Sequence, residues 1–429
     1  MNLAPAFILL GLFAANVPVA FAMAMAALSF FLLSAGPPLT IFVQRLTAAT
    51  DSFPLLAVPF FIMAGAIMNH AGITRRLIAL AEALVGHWRG GLAQTNIVLA
   101  TLMGGLSASA NADAAMQAKM LGPEMIRRGY QASFVAALTA TAAVVTPIIP
   151  PGIGLIVYGF LADVSVGRLF LGGVVPGLLI CAALMLTTAF IARRRGYGAV
   201  RERFIERSEL GRAFKDAIWG LTIPLFILLG IRFGVFTPTE AGAMTVLYAL
   251  AVGFLAHGEL KLSDLPGIIN ETVLATSTVM LIICAASAFG FYMSWERIPP
   301  QLAAALVTVS DNPWIMLLLI NVLLIGVGML IEGTAALILL APILVPVVTE
   351  LGVDPVHFGL VIVVNLTIGG VTPPVGTLMY TTSTILSVRI EQFTREALPL
   401  LGALFLVLVL ITYFPGLVLA LPNALMGGG

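Results

Sequence analysis

Two short segments place hydroxyl, amide and carboxylate oxygens inside otherwise apolar sequence. GGLSASANADA, from Gly104 to Ala114, offers Ser107, Ser109, Asn111 and Asp113, and GVGMLIEGTAA, from Gly326 to Ala336, offers Glu332, Gly333 and Thr334. Two further segments carry paired prolines, TPIIPPGIG from Thr146 to Gly154 and GGVTPPVGT from Gly369 to Thr377. Consecutive prolines remove two amide donors and clash with the preceding turn, so a helix breaks there. The carbonyls freed around Pro150 and Pro373 are hard oxygen ligands suited to an alkali cation such as Na+, and the N-terminal ends of the half helices offer amides and positive dipole to an anion. The tips and breaks hold no Lys or Arg. The charge of an acidic ligand must then be met by bound cation, dipoles, hydroxyls and amides, unless Lys119 or Arg127 reaches in. Plainer roles exist for the same residues: small hydroxylated side chains let membrane helices pack closely, a proline pair can be a simple kink, and Asp113 and Glu332 suit hairpin-stabilising acceptors as well as ligand contacts.

The elements that carry these residues follow from the apolar runs around them. Runs of about a dozen apolar residues flank each polar segment, too short to cross a roughly 30 Å hydrocarbon core alone. Each pair therefore reads as a re-entrant hairpin whose tip stays within the membrane, spanning residues 92–127 and 313–349. The proline pairs interrupt longer apolar runs, residues 131–161 and 356–386. Broken backbone at that depth is tolerated only where protein or a water-filled cavity satisfies it. A single offset of 223 relates the two sets without a gap from residue 105 to 178: Gly105 meets Gly328, Pro123 meets Pro346, Gly129 meets Gly352, the proline pairs meet each other, and Pro176 meets Pro399. Proline is roughly one residue in twenty, so chance does not account for that register. The chain reads as a duplicated membrane unit, and duplication around broken helices marks a secondary transporter.

Composition excludes the main alternatives. Of 429 residues 60% are hydrophobic and 10% charged, mean hydropathy is +1.08, and soluble domains carry about 25% charge. The expected fold is an all-α polytopic membrane protein of roughly 10–12 membrane helices plus the two hairpins. A net charge of +1 without a basic patch sets nucleic acid aside. Cys181 and Cys284 sit in apolar runs as small hydrophobes, and His70, His87, His257 and His357 have no metal-site spacing. With no paired catalytic groups at membrane depth, the chain is not expected to be an enzyme. The inverted duplication favours alternating access over a channel. The first apolar run has neither a basic leader nor a small-residue cleavage site and is expected to stay in the mature chain.

Charge sets orientation. The segment Ile191 to Asp216 holds seven arginines and one lysine, so it faces the cytoplasm as a basic linker, residues 193–215, between a first repeat, 1–192, and a second, 216–429. Asn69 to Ala132 has six Lys or Arg against three acids and reads as cytoplasmic; Ser294 to Pro355 has Arg297 against five acids and reads as periplasmic. Arg127 maps onto Glu350, so the halves should be oppositely oriented. A weaker echo relates the sequence around Pro18 to that around Pro238. Thr74 to Arg89 places Leu77, Leu80, Leu84, Val85 and Trp88 on one helical face, the pattern of an interfacial helix.

These motifs resemble the large membrane subunit of tripartite ATP-independent periplasmic (TRAP) transporters across nearly the whole chain. The resemblance rests on PFFIMAGAIM, the SASANADA tip, PEMIRRGY, IIPPG, FTPTEAGA and the long segment from Val353 to Tyr380. It implies an elevator-type transporter in the bacterial inner membrane, driven by Na+ and fed by a periplasmic substrate-binding protein. It also implies a small membrane subunit of about four helices, expected here as a separate polypeptide because the duplicated unit begins almost at Met1. By resemblance Ser107, Ser109, Asn111, Pro150 and Gly152 line one cation and substrate site, and Gly333, Thr334, Thr372, Pro373, Pro374 and Gly376 line its inverted counterpart, with Glu332 at the second tip. The chain departs from the family pattern at SASAN, where a glycine often separates the serines, and at Gly152, where serine is common. The substrate class implied is an organic acid: a C4-dicarboxylate, sialic acid or a 2-oxo acid. An ion-coupled carboxylate transporter acting without a binding protein is the neighbouring alternative.

Overall fold

A computed structural model describes all residues except 1, 16, 34–36, 108, 202–203, 302–311 and 428–429, and the side chain of Ser107. The described residues form helices and connecting turns. In chain order these are α1 (Ala4–Ala14), α2 (Val19–Leu33), α3 (Leu39–Ala48), α4 (Ala57–His70), α5 (Ile73–Val85), α6 (Gly91–Ser107), α7 (Ala110–Met120), α8 (Gly122–Arg127), α9 (Ala132–Ala142) and α10 (Ile153–Leu161). They continue as α11 (Val166–Arg195), α12 (Arg207–Arg232), α13 (Pro238–Ala251), α14 (Leu265–Trp295), α15 (Pro313–Leu330), α16 (Gly333–Glu350), α17 (Pro355–Gly369), α18 (Thr377–Ile385), α19 (Ile390–Tyr413) and α20 (Gly416–Met426). Eight helical spans among the described residues are long and apolar enough to cross a membrane, and six further apolar helices are shorter. Short helices are the expected product of tips and breaks, since each half of an interrupted element covers only part of the bilayer.

The apolar run at the start is two helices, because Pro18 cannot continue α1 and its carbonyl instead accepts the amide of Ala22 at the start of α2. The basic linker is shorter than its charges suggest: α11 runs to Arg195 and α12 begins at Arg207.

Matching helix ends recur in the two halves. After α8 and after α16 the chain turns through glycine in the left-handed region, Gly129 at φ 88° and Gly352 at φ 78°. The closing bonds also correspond: Tyr130 N–H donates to Met125 O at 3.1 Å, and Val353 N–H to Val348 O at 3.0 Å. A side chain at either glycine would be strained, which is why glycine ends helices this way. Up to the proline pairs the offset is 223. Beyond them it is 224, because one extra residue, Val375, is looped out before α18: the helix-capping residues are Gly152 and Gly376, and the positive-φ residues ending α10 and α18 are Asp163 and Ser387. The ungapped register expected through residue 178 is therefore corrected by one residue.

Packing exchanges elements between the halves. The second part of each interrupted helix reaches into the other half: α18 packs on α7 and α9, and α10 packs on α16 and α17 as well as on α11 of its own half. Buried polar bonds pin the outer hairpin arms. Asn96 of α6 donates to Thr139 Oγ1 of α9 at 3.1 Å. Asn365 of α17 donates to Asn321 Oδ1 of α15 at 2.8 Å, and Asn321 donates to Thr412 of α19 at 3.1 Å. Such bonds are favoured where the alternative is an unsatisfied amide in hydrocarbon.

Helix α5 buries Ile73, Leu77 and Leu80, but Leu84 and Trp88 are exposed. Its face is met by α12, where Gly220 lets Ile73 approach, and at the other end of the expected stripe Val85 is buried beside exposed Leu84. Arg75 and Arg76 both pair with Glu259, at 2.7 and 2.8 Å. Partial desolvation pushes the Glu259 carboxyl up, but Arg76 and Arg75 outweigh it and hold it below the usual range.

Candidate functional site

Both tips are helix starts built in the same way. Ser109 caps α7, its Oγ accepting the amide of Ala112 at 3.4 Å, and Glu332 caps α16, its Oε2 accepting the amide of Ala335 at 3.0 Å. The two caps and the two amides each lie 223 apart. A capping side chain satisfies one of the amides that a helix start leaves unpaired. Glu332 uses its other oxygen as well, Oε1 accepting from Thr334 Oγ1 at 3.1 Å. The carboxylate is thus engaged with its own tip. Asn111, in the first turn of α7, has a buried Oδ1 without a hydrogen-bond partner among the described residues, an acceptor suited to a donor or a cation. The Ser107 side chain lies outside the described residues.

Each tip rests against the proline break of its own half. In the first half a Cβ on Gly105 would meet the Pro224 ring of α12 first and stand 3.1 Å from the Pro150 carbonyl oxygen, and one on Gly104 would stand 2.7 Å from Ile149 Cβ. Asp113, 1% exposed, accepts a 2.8 Å hydrogen bond from Thr146 Oγ1, joining α7 to the turn that leads into Pro150. In the second half Gly328, the counterpart of Gly105, lies against Gly369 and the carbonyl of Leu366, and Gly333 faces Leu366. Sequence reasoning placed tips and breaks on adjacent elements but missed these glycine contacts. The signal was present in the pairing of Gly105 with Gly328, residues whose lack of a side chain lets backbones touch.

The breaks supply carbonyls. Among the described residues no backbone amide donates to the carbonyls of Pro150, Pro151, Pro373 or Pro374. Gly152 and Gly376 begin the half helices α10 and α18 without a capping side chain. Each lies hard against an earlier carbonyl, Pro147 O and Gly370 O respectively, so a side chain at either position would reshape the break. Thr372 is 8% exposed and its Oγ1 donates to Ile368 O at 2.8 Å, which leaves the hydroxyl's lone pairs directed elsewhere. The two breaks differ in setting. Pro150, Pro151 and Gly152 are buried, whereas Pro374 and Val375 are exposed.

The oxygens gathered at each tip and break are hydroxyl, amide and carbonyl, the donor set that suits a hard monovalent or divalent cation. The helix starts at α10 and α18 add positive dipole for an anion, although at α18 the amides of Leu378 and Met379 already donate to Gly370 O. No group of three or more His, Cys, Asp or Glu among the described residues could hold a transition metal.

Comparison with known proteins agrees with this architecture. The family model "Tripartite ATP-independent periplasmic transporter, DctM component" matches residues 6–417. The chain is 41% identical over 420 residues to the sialic acid TRAP transporter large permease protein SiaM of Vibrio cholerae, covering 98% of both chains. It is 33% identical over 432 residues to the C4-dicarboxylate TRAP transporter large permease protein DctM of Rhodobacter capsulatus, covering 97% of this chain and 98% of that one. It is 38% identical over 418 residues to the isethionate TRAP transporter permease protein DctMQ of Oleidesulfovibrio alaskensis, covering 96% of this chain and 66% of that protein. A helical chain with interrupted elements on both sides, matched along almost its whole length, is a multi-pass inner-membrane protein that belongs to the DctM family of tripartite ATP-independent periplasmic transporters, as a large permease subunit.

Proposed function

We propose that this subunit couples the inward movement of Na+ to the import of a small organic acid delivered by a periplasmic binding protein. The observation that carries the reading is the pairing of tip and break in each half: Gly105 against the Pro150 carbonyl, and Gly328 against Gly369. A cation bridging tip and break would hold the tip closed, and its charge would offset that of a bound carboxylate in a region without Lys or Arg. Ser109, Asn111, the Pro150 carbonyl and Gly152 form the first such site; Ser107, whose side chain lies outside the described residues, is assigned to it on sequence alone. Gly333, Thr334, Thr372, Gly376 and the carbonyls of Pro373 and Pro374 form the second, with Glu332 shaping the tip.

The halves, 1–192 and 216–429, act as inverted repeats across the basic linker, and the hairpins and broken helices move together as the elevator against the remaining helices. The exchange of α10 and α18 between halves supports a single moving body, since neither half can shift its break without the other's hairpin. Relatives named for sialic acid, C4-dicarboxylate and isethionate support an acid as cargo. The small membrane subunit is a separate polypeptide partner, and the extra length of the DctMQ relative is consistent with such a subunit fused there. Uptake into liposomes holding this chain and its small subunit, measured with and without the binding protein, tests the reading. Uptake that proceeds at full rate without the binding protein would reject it in favour of direct capture.

A further inference from the structure

One face of α18 carries hydroxyls and is open. Thr377, Tyr380, Thr381 and Thr384 recur at the spacing that places residues on one side of a helix. Tyr380 and Thr384 are exposed and Thr377 and Thr381 half-buried, whereas Leu378, Met379 and Thr382 are buried. The corresponding positions of α10, counted from Gly152 as from Gly376, are Ile153, Ile156, Val157 and Phe160. The first three of these are buried and Phe160 is half-buried, so the duplication alone does not produce the hydroxyl face. That face begins at the second break, where Pro374 and Val375 are exposed and a Cβ on Gly370 would stand 3.4 Å from Thr377 Oγ1. At the other end Leu386 packs on Gly122, which brings the ends of α7 and α18 together. Each segment there has an exposed cation, Lys119 just before Gly122 and Arg389 just after Leu386. Gln117 of α7 has both amide atoms, and Ser383 of α18 its hydroxyl, buried without a hydrogen-bond partner among the described residues. Ordered water satisfies such groups.

We propose that this face of α18 lines a water-filled passage by which the organic acid leaves the second tip and break for the cytoplasm, an inference that rests on the site and orientation proposed above. Hydrocarbon offers hydroxyls no partner, so polar surface at membrane depth belongs on a cavity. A row of hydroxyls can donate to a carboxylate at each step while holding it weakly enough to let it go, as passage through a pore requires. Full positive charge is kept to the mouth, where Lys119 and Arg389 favour an anion over a cation.

Thiol accessibility in the full chain lacking Cys181 and Cys284 tests this without Na+, binding protein or transport. Tyr380→Cys and Thr384→Cys replace exposed side chains, and Leu406→Cys, at an exposed apolar position of α19, is the comparison. A thiol reacts as its thiolate, which forms in water and not in hydrocarbon. The anionic reagent 2-sulfonatoethyl methanethiosulfonate, added to inside-out vesicles, should therefore modify both α18 cysteines at least about tenfold faster than Leu406→Cys, each rate normalised to labelling after denaturation. Right-side-out vesicles should react more slowly at both. Relative to their rates with free cysteine, the anionic reagent should outpace its cationic trimethylammonioethyl analogue, and this preference should shrink when Lys119→Gln and Arg389→Gln are combined. Rates no higher than at Leu406→Cys, faster labelling from the periplasmic side, or a preference for the cationic reagent overturns the proposal. Loss of Na+-coupled uptake would leave this labelling pattern unchanged, so failure of the transport reading and failure of the passage are told apart.

Discussion

Gly328 and Gly369 meet backbone to backbone: a Cβ on Gly369 would stand 2.7 Å from the Gly328 Cα. No flexible side chain stands between the tip of the second hairpin and the end of α17, so nothing can yield to an added methyl. Overpacking of this kind costs about 1–3 kcal/mol. Applied to closure of the tip, that is roughly a fivefold to 150-fold shift. Gly369→Ala should lower the initial rate of uptake by that order with the protein still folded in the membrane, checked by rate measurement on equal amounts of monodisperse protein. Unchanged uptake would mean that the tip need not close on the break.

The oxygen donors should act on cation dependence. If the proposed cation sites are right, Ser109→Ala, Asn111→Ala and Thr372→Ala should each raise the Na+ concentration for half-maximal uptake several-fold, because each would remove one ligand from a small coordination shell. Thr372→Ser keeps the hydroxyl and should be much milder. If all three alanine variants keep the parent Na+ dependence, the tips serve packing alone.

Glu332 separates capping from ligand binding. Both its oxygens are bonded within the tip, so Glu332→Ala should destabilise the start of α16 by about 1 kcal/mol, read as faster hydrogen exchange at residues 333–336. Glu332→Gln retains an acceptor and should transport with nearly the parent Na+ dependence. A loss of cation affinity in Glu332→Gln as deep as in Asn111→Ala would make the carboxylate a ligand.

Orientation can be read by labelling. Single cysteines at Arg127 and Glu350, in a chain lacking Cys181 and Cys284, should react with an impermeant thiol reagent from opposite sides of the membrane. Reaction from the same side would contradict the inverted arrangement.

How far the sequence carried this picture depended on the range of the interaction. Interruptions at Pro150–Pro151 and Pro373–Pro374 are local consequences of a missing amide, and the caps Ser109 and Glu332 serve amides three residues on, so both kinds of feature lie within a few residues of their cause. The one-residue slip at Val375 was invisible because the proline pairs themselves keep the 223 offset, and the extra residue is absorbed only in the loop behind them. The exposure of Leu84 and Trp88 was equally hidden. Helical periodicity gives a stripe, but the part of it that is buried depends on what packs there, such as Gly220 of α12 against Ile73 and Leu77, far off in sequence. The pairing of Glu259 with Arg75 and Arg76 and the bond that Thr146 donates to Asp113 have the same character: each side chain is ordinary alone and acquires its role from the fold.

The most direct test of the account is ion-driven uptake by the reconstituted complex. With this chain, its small subunit and the binding protein in liposomes, radiolabelled substrate should accumulate above its external concentration when an inward Na+ gradient is imposed. It should stop accumulating when Na+ is replaced by K+ or choline, and should not respond to ATP. Accumulation that persists without Na+, or that requires ATP, would contradict it.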